Sequence, residues 1–373
     1  INTDKAFAII SAIFLSIIIA FTIGFVVMFL RKIMFTFFYE KKMRIGGSIF
    51  GGISIAIISY FIFIKGMKDL SIIPEATLNW INLNISLLMV CVAAGLTVLL
   101  FLIQLFAKIN VFRIVVLFGS FALAMAFAGN DLVNFIGVPI AGYNSFKIFV
   151  QNGATSPETF SMDMLASPIH TELWFLLAAG IIMILSLWFS KRARTVIATS
   201  LNLSKRQEGE EQFGSNHFSR SIVKFFYNTS SFLNSKYLKG TKKLVDKRFI
   251  QPEHDTKDPN PPAFDMLRGA LNLIVSSILI AFGTSLKLPL STTYVTFMVA
   301  MGTSLADRAW GRESAVYRVS GVFTVVGGWF LTAFIAFTVA ALVAWFLWWG
   351  DLIAVIIIIP LVVIVLYRSH LKC

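Results

Sequence analysis

Uninterrupted apolar runs, several of them eighteen or more residues long, recur along this 373-residue chain. At a rise of 1.5 Å per residue, a helix of about 20 residues crosses a hydrocarbon core of about 30 Å, and only helices and closed barrels satisfy their backbone there. The runs lack the polar-apolar alternation of barrel strands. Hydrophobic residues make up 57% of the chain, and the mean hydropathy is +0.80. The sequence therefore predicts an all-α polytopic membrane protein.

The apolar runs predict nine helical spans. The polar segments between them carry most of the turn and charge signals. The expected bounds are 7–30, 49–64, 81–105, 111–128, 173–189, 267–286, 290–305, 319–348 and 352–366.

Basic residues between the spans predict the orientation, because Lys and Arg in short loops stay on the cytoplasmic side. The net charge is +13, but the basic residues lie between the spans and not in one soluble domain. We therefore expect a lipid bilayer, and no nucleic acid, as partner. The loops beginning at Arg31, Lys108, Lys191 and Arg308 are predicted to be cytoplasmic. We expect a multi-pass protein of the plasma or inner membrane.

The segment 191–263 is the only long polar stretch, with fourteen Lys and Arg against seven Asp and Glu. It predicts a basic cytoplasmic loop beside anionic headgroups. Within this loop we predict an amphipathic helix that lies at the membrane interface. The alternative is a helix that binds a protein partner. The apolar residues that predict the amphipathic helix are Ile222, Phe225, Phe226, Leu233 and Tyr237.

A first polar cluster directly follows the span 111–128. Asn130 and Asn134 are four residues apart, so one helical turn presents two amide oxygens with the carboxylate of Asp131. Hard oxygen ligands of this kind suit Na⁺ or a proton relay. The alternative is the outer end of a span, where polar residues meet water. The neighbouring residues that predict a broken or closely approached helix are Gly129, Gly137 and Pro139.

A second polar cluster separates the spans 267–286 and 290–305. Pro289 is followed by Ser291, Thr292 and Thr293, which predicts a discontinuous helix with free N–H groups at the start of its second half. Amides and hydroxyls at a helix N-terminus form a site for an oxyanion. An ordinary Ser/Thr cap is the alternative. Together, the two clusters describe a carrier that couples a cation to an anion.

An internal similarity links two distant apolar segments. Residues 14–23 match residues 330–339 at six of ten positions. Transporters are commonly built from two repeats. We therefore expect a further copy of each polar cluster to precede Ile1.

The two polar clusters resemble the motifs of a known family, the PiT inorganic phosphate transporters. The stretch Ala128-Gly129-Asn130-Asp131-Leu132-Val133-Asn134 is similar to that family's Gly-Ala-Asn-Asp-Val-Ala-Asn signature. Pro289-Leu290-Ser291-Thr292-Thr293-Tyr294 is similar to its Pro-x-Ser-Thr-Thr-His element. The chain departs from the family in the position of Gly129, in Leu132 and Val133, and in Tyr294, which replaces the His.

The resemblance implies inverted repeats with discontinuous, re-entrant helices. It implies a cation site at Asn130, Asp131 and Asn134, and a phosphate site at Ser291, Thr292 and Thr293. The coupling ion is Na⁺ or H⁺, and no other cofactor is expected. A homodimer is left open.

The resemblance also implies a division of the chain into four regions. These are 1–110, the tail of the first repeat; 111–190, the start of the second; 191–263, the cytoplasmic loop; and 264–373, the remainder with the Ser-Thr-Thr element.

The sequence predicts a secondary transporter that imports inorganic phosphate with Na⁺ or H⁺, and three alternatives remain open. Another oxyanion such as sulfate would suit the same scaffold. A membrane channel or a non-transporting scaffold is an alternative of another class. An intramembrane phosphotransferase is the enzymatic alternative, but no Gly-rich loop, His/Asp pair or metal-ligand spacing favours it. We therefore expect no enzymatic activity.

Overall fold

The computed structural model describes all nine predicted spans and little of the basic loop. Of that loop, Arg220 and Lys224 are helical and exposed. The apolar residues of the predicted amphipathic helix lie outside the described residues. The described residues are 3–34, 39–65, 74–152, 160–161, 172–190, 266–286, 288, 290–306 and 312–371, with His217, Arg220, Ser221 and Lys224.

The described residues are helical and contain no strand, which confirms the predicted all-α class. Nine α-helices are described, and a π-helical segment at Tyr60–Lys65 continues the second of them. The α-helices are α1 Thr3–Met34, α2 Tyr39–Ser59, α3 Glu75–Leu83, α4 Ile85–Phe106, α5 Val111–Gln151, α6 Leu173–Phe189, α7 Met266–Ser285, α8 Thr292–Ala306 and α9 Arg312–Leu371.

Six of the described helices include segments long and apolar enough to cross a membrane. A seventh, α6, is apolar but has only 17 residues. The protein is therefore a polytopic membrane protein, as its apolar runs predict. The six segments are Phe7–Arg31, Ile45–Ile62, Ile85–Phe106, Val111–Gln151, Met266–Ser285 and Val319–Arg368.

The helix α9 consists of two helices joined at a kink within its 60 residues. A helix of 60 residues would measure about 90 Å at 1.5 Å per residue, about three hydrocarbon cores. Its backbone leaves helical geometry at Asp351, where φ is 44° and ψ is −130°. Exposed Trp348 and Trp349 precede this break and suit a membrane interface. The break agrees with the predicted boundary between the spans 319–348 and 352–366.

The chain divides into two compact units. The first comprises residues 1–207 and 240–309 and includes α1 to α8, whereas the second comprises 208–239 and 310–373 and includes α9. The core of the first unit lies between α2, α4, α5 and α7. Its buried residues include Ile58 from α2, Val115 from α5 and Ala270 from α7.

Within the first unit, α1 packs directly against α8 through glycines. A Cβ on Gly24 would lie 2.7 Å from the carbonyl oxygen of Val299, and a Cβ on Gly302 would lie 2.9 Å from the backbone nitrogen of Phe25. Small residues allow two helix backbones to approach this closely inside a membrane. The glycines therefore fix α8 against α1.

The helices α7 and α8 form a hairpin, as the second polar cluster predicts. The α7 helix ends at Ser285, and α8 begins at Thr292. In the connection between them, the Leu288 N–H donates to the carbonyl oxygen of Gly283 at 3.0 Å. The buried side chain of Leu290 occupies the space beside Gly283, where a Cβ would lie 3.0 Å from Leu290 Cγ. Pro289 lies outside the described residues.

Candidate functional site

The polar residues Asn130 and Asp131 lie nineteen and twenty residues into α5, at a point where α5 packs against α7 and α8. Asn130 is buried, with 6% of its surface exposed, and Asp131 is half-buried. Both side chains contact the turn region of the α7–α8 hairpin. We call the four residues in these contacts, Asn130, Asp131, Thr284 and Thr292, the hairpin tip.

The carboxylate of Asp131 accepts a hydrogen bond from the hydroxyl of Thr292. Thr292 Oγ1 lies 2.9 Å from Oδ2 and 3.1 Å from Oδ1 of Asp131. Thr292 is the first residue of α8 and is 3% exposed. A negative charge at a helix N-terminus is stabilised by the helix dipole. The residue predicted to bind a cation and one predicted to bind an oxyanion are therefore in direct contact.

A second contact in the tip joins Asn130 to Thr284, in the last turn of α7. The Thr284 hydroxyl donates its one proton to the carbonyl oxygen of Ile280 at 2.8 Å. It therefore accepts from Asn130 Nδ2, which lies 3.0 Å away. The amide oxygen of Asn130 consequently faces away from Thr284. Thr284 thus orients an oxygen of the predicted cation site.

Sequence reasoning gave no role to Thr284. Its only signal in the sequence is a hydroxyl residue in the last turn of an apolar span, and such residues usually bond to their own backbone. Thr284 does bond in this way, and its additional role depends on Asn130, which lies 154 positions earlier. The tertiary fold brings these two residues together.

The three hydroxyls of the predicted phosphate site have different surroundings. Thr292 is buried against Asp131, whereas Thr293 is exposed. Half-buried Ser291 lies just before α8, where its carbonyl oxygen accepts from the Val295 N–H at 3.1 Å. Of the three, Thr292 is the residue that the structure joins to the predicted cation ligands. The side chain of Asn134 lies outside the described residues.

The predicted break at Gly129, Gly137 and Pro139 is wrong, because α5 continues through all three residues to Gln151. A Cβ on Gly129 or Gly137 would meet nothing within 4 Å, so neither glycine marks a close approach. A proline removes one intrahelical hydrogen bond, at a cost of about 3 kcal/mol. The turns on both sides of exposed Pro139 remain helical, and the long helix tolerates this loss.

A different polar contact joins the two arms of the hairpin away from the tip. Thr303 of α8 donates to Asn272 Oδ1 of α7 at 2.6 Å, and its hydroxyl also lies 3.0 Å from the carbonyl oxygen of Ala300. Thr303 is 0% exposed. This contact, which we call the hairpin stem, contains no charged group.

The chemistry of the tip suits a small cation. The side chains of Asp131, Asn130 and Thr292 supply carboxylate, amide and hydroxyl oxygens, the ligand types that hard cations prefer. They come from two different helices, so binding a cation would tie α5 to α8. Comparison with protein-family models, with curated proteins and with solved structures finds no match for the chain.

Proposed function

We propose that this chain belongs to a secondary transporter that carries inorganic phosphate into the cell together with Na⁺ or H⁺. One observation carries the proposal: the carboxylate of Asp131 is bonded to the hydroxyl of Thr292 at the N-terminus of α8. The proposed cation ligand and the proposed anion-binding helix end are thus in contact in a polytopic membrane protein. This is the arrangement that coupled carriers use.

The cost of Asp131 supports a functional role. A carboxylate at the centre of a bilayer costs about 2.5 to 3.5 kcal/mol on insertion scales, and ionisable residues in spans mark ion or substrate pathways. The other residues of α5 in this region are largely apolar, so α5 does not need Asp131 in order to span the membrane. A cation bound at the tip would neutralise the charge.

Phosphate as the anion is supported by the resemblance of both polar clusters to the PiT motifs. The N–H groups of the first turn of α8 and the hydroxyls of Ser291 and Thr293 offer donors at the positive end of a helix dipole. The third hydroxyl of this motif, that of Thr292, donates to Asp131 in the structure. Sulfate has the same tetrahedral shape, so the hydroxyl donors alone do not distinguish the two anions. The proposal places the protein in the cell membrane with the loop 191–263 in the cytoplasm.

Uptake of radiolabelled phosphate by proteoliposomes that contain the full-length protein tests the proposal. Na⁺ and pH gradients are imposed separately, and unlabelled phosphate or sulfate is added as competitor. We expect one of the gradients to drive phosphate accumulation, and phosphate to compete better than sulfate. Stronger competition by sulfate would reassign the anion. Equilibration without accumulation under either gradient would indicate a channel or a scaffold.

A further inference from the structure

Thr292 differs from Thr284, Thr296 and Thr303 of the hairpin in where its hydroxyl bonds. Thr284 and Thr296 donate to carbonyl oxygens of their own helices. Thr303 has such a carbonyl within reach as well. Thr292 is the first residue of α8, so no helical turn precedes it to accept its proton. Its hydroxyl bonds to Asp131 instead.

A threonine hydroxyl has one proton and two lone pairs. While the carboxylate of Asp131 is ionised and holds no cation, it takes this proton. An oxyanion that approaches the start of α8 then meets the lone pairs of Thr292 and the negative charge of Asp131. Phosphate binding is therefore disfavoured in this arrangement, even though the helix end otherwise suits an anion.

We propose that Thr292 is the switch that makes phosphate binding depend on the cation, an inference that rests on the proposed function. Na⁺ at Asp131 is coordinated by the Thr292 oxygen through a lone pair. The hydroxyl proton of Thr292 then turns away from Asp131 and toward the phosphate. The cation therefore binds first, and the phosphate binds second.

The contact between Asn130 and Thr284 does not switch in this way. The Thr284 proton stays on the carbonyl oxygen of Ile280, whether or not a cation is present, because both groups belong to the same helix. Asn130 thus keeps its orientation throughout. The tip combines one fixed hydrogen bond with one that changes partner.

The test measures the phosphate affinity of the purified full-length protein with and without Na⁺. The ratio of the two dissociation constants is the coupling factor. We compare wild type with Thr292→Ser, Thr292→Val and Thr296→Val. The last variant is a matched control, because the Thr296 hydroxyl lies 3.0 Å from the carbonyl oxygen of Thr292 and 3.1 Å from that of Thr293.

We expect the coupling factor to be unchanged in Thr292→Ser and Thr296→Val, and to fall about tenfold in Thr292→Val, the effect of one hydrogen bond to a charged group. If the cation acted only by neutralising the charge of Asp131 through space, the coupling factor would be the same in all variants. A wild-type coupling factor in Thr292→Val would therefore overturn the switch.

Wild-type protein provides a second measurement that needs no substitution. The cation should bind in the absence of phosphate, and phosphate should raise the cation's affinity by the same factor by which the cation raises that of phosphate. If phosphate binds with the same affinity in the absence of the cation as in its presence, the switch is overturned, but the proposed phosphate site is not. Absence of phosphate binding at every cation concentration would overturn the proposed function itself.

Discussion

The tip and the stem of the α7–α8 hairpin use similar hydrogen bonds for different purposes. The stem joins Thr303 to Asn272 within the hairpin, and both groups are neutral. The tip joins the hairpin to α5, and one of its groups is the carboxylate of Asp131. A neutral bond between the two arms stabilises the hairpin. A bond from the hairpin to a charge on another helix makes the position of α8 depend on that charge.

Buried polar groups in a membrane protein differ in function according to the helices that they connect. Interhelical hydrogen bonds of the stem type contribute only about 0.6 kcal/mol on average in membranes. A charge such as Asp131 costs several times more, so a structural benefit alone does not explain it. Substitutions in the two regions should therefore separate stability from transport.

The largest effect is expected from Gly302→Leu, which affects tip and stem together. The new side chain would meet the backbone of α1 at Phe21 and Phe25. Backbone atoms cannot move aside as a flexible side chain does, so the loss should exceed the usual 1 to 3 kcal/mol of overpacking. We expect little folded protein in detergent by size-exclusion chromatography. Gly95→Leu is the control, because a Cβ there meets nothing within 4 Å. Equal yields of the two variants would contradict the packing of α1 on α8.

Thr284→Val should weaken the tip without disturbing the stem. The substitution conserves volume but removes the acceptor that orients Asn130. A lost hydrogen bond of about 1 kcal/mol corresponds to a roughly fivefold lower affinity. We expect the cation concentration for half-maximal phosphate uptake to rise about fivefold, and Thr284→Ser to restore the wild-type value. An unchanged cation dependence in Thr284→Val would show that Asn130 needs no such support.

Thr303→Val should weaken the stem without disturbing the tip. It removes the donor to Asn272 at a fully buried position. We expect a loss of about 1 kcal/mol in stability, measured by thermal unfolding in detergent. Phosphate uptake per folded molecule should equal that of wild type. A changed cation dependence of uptake would mean that the stem takes part in coupling.

The smallest effect is expected from Pro139→Ala. Pro139 is exposed inside the continuous helix α5, and alanine restores a backbone N–H there. Stability should stay the same or rise slightly, and the initial rate of phosphate uptake should not change. A clear loss of uptake would revive the interpretation of this region as a functional helix break.

Sequence reasoning predicted the helices because backbone groups in a bilayer must bond within their own segment. It also predicted the discontinuity between Ser285 and Thr292, since Pro289 lacks a backbone N–H and is favoured near the start of a helix. The same reasoning failed at Gly129, Gly137 and Pro139. A long helix accommodates these residue types without breaking, and the sequence pattern does not distinguish the two outcomes.

The contact between Asp131 and Thr292 was beyond the reach of the sequence. The two residues are 161 positions apart, and each belongs to a motif with its own local interpretation. The sequence therefore predicted a cation site and an anion site as separate features. Their contact depends on how α5 packs against the hairpin, where Ala122 of α5 lies in one buried cluster with Ala270 and Ile274 of α7. Such packing leaves no signal in the spacing of polar residues.

The most direct measurement compares Asp131→Asn with Thr303→Val in parallel phosphate uptake assays. Both proteins are reconstituted at equal amounts of folded protein, under the gradient that drives the wild type. We predict that Thr303→Val takes up phosphate at the wild-type rate and that Asp131→Asn falls to the level of empty vesicles, because the cation has lost its charged ligand. Gradient-driven uptake by Asp131→Asn at the wild-type rate would contradict the assignment of the hairpin tip as the coupling site.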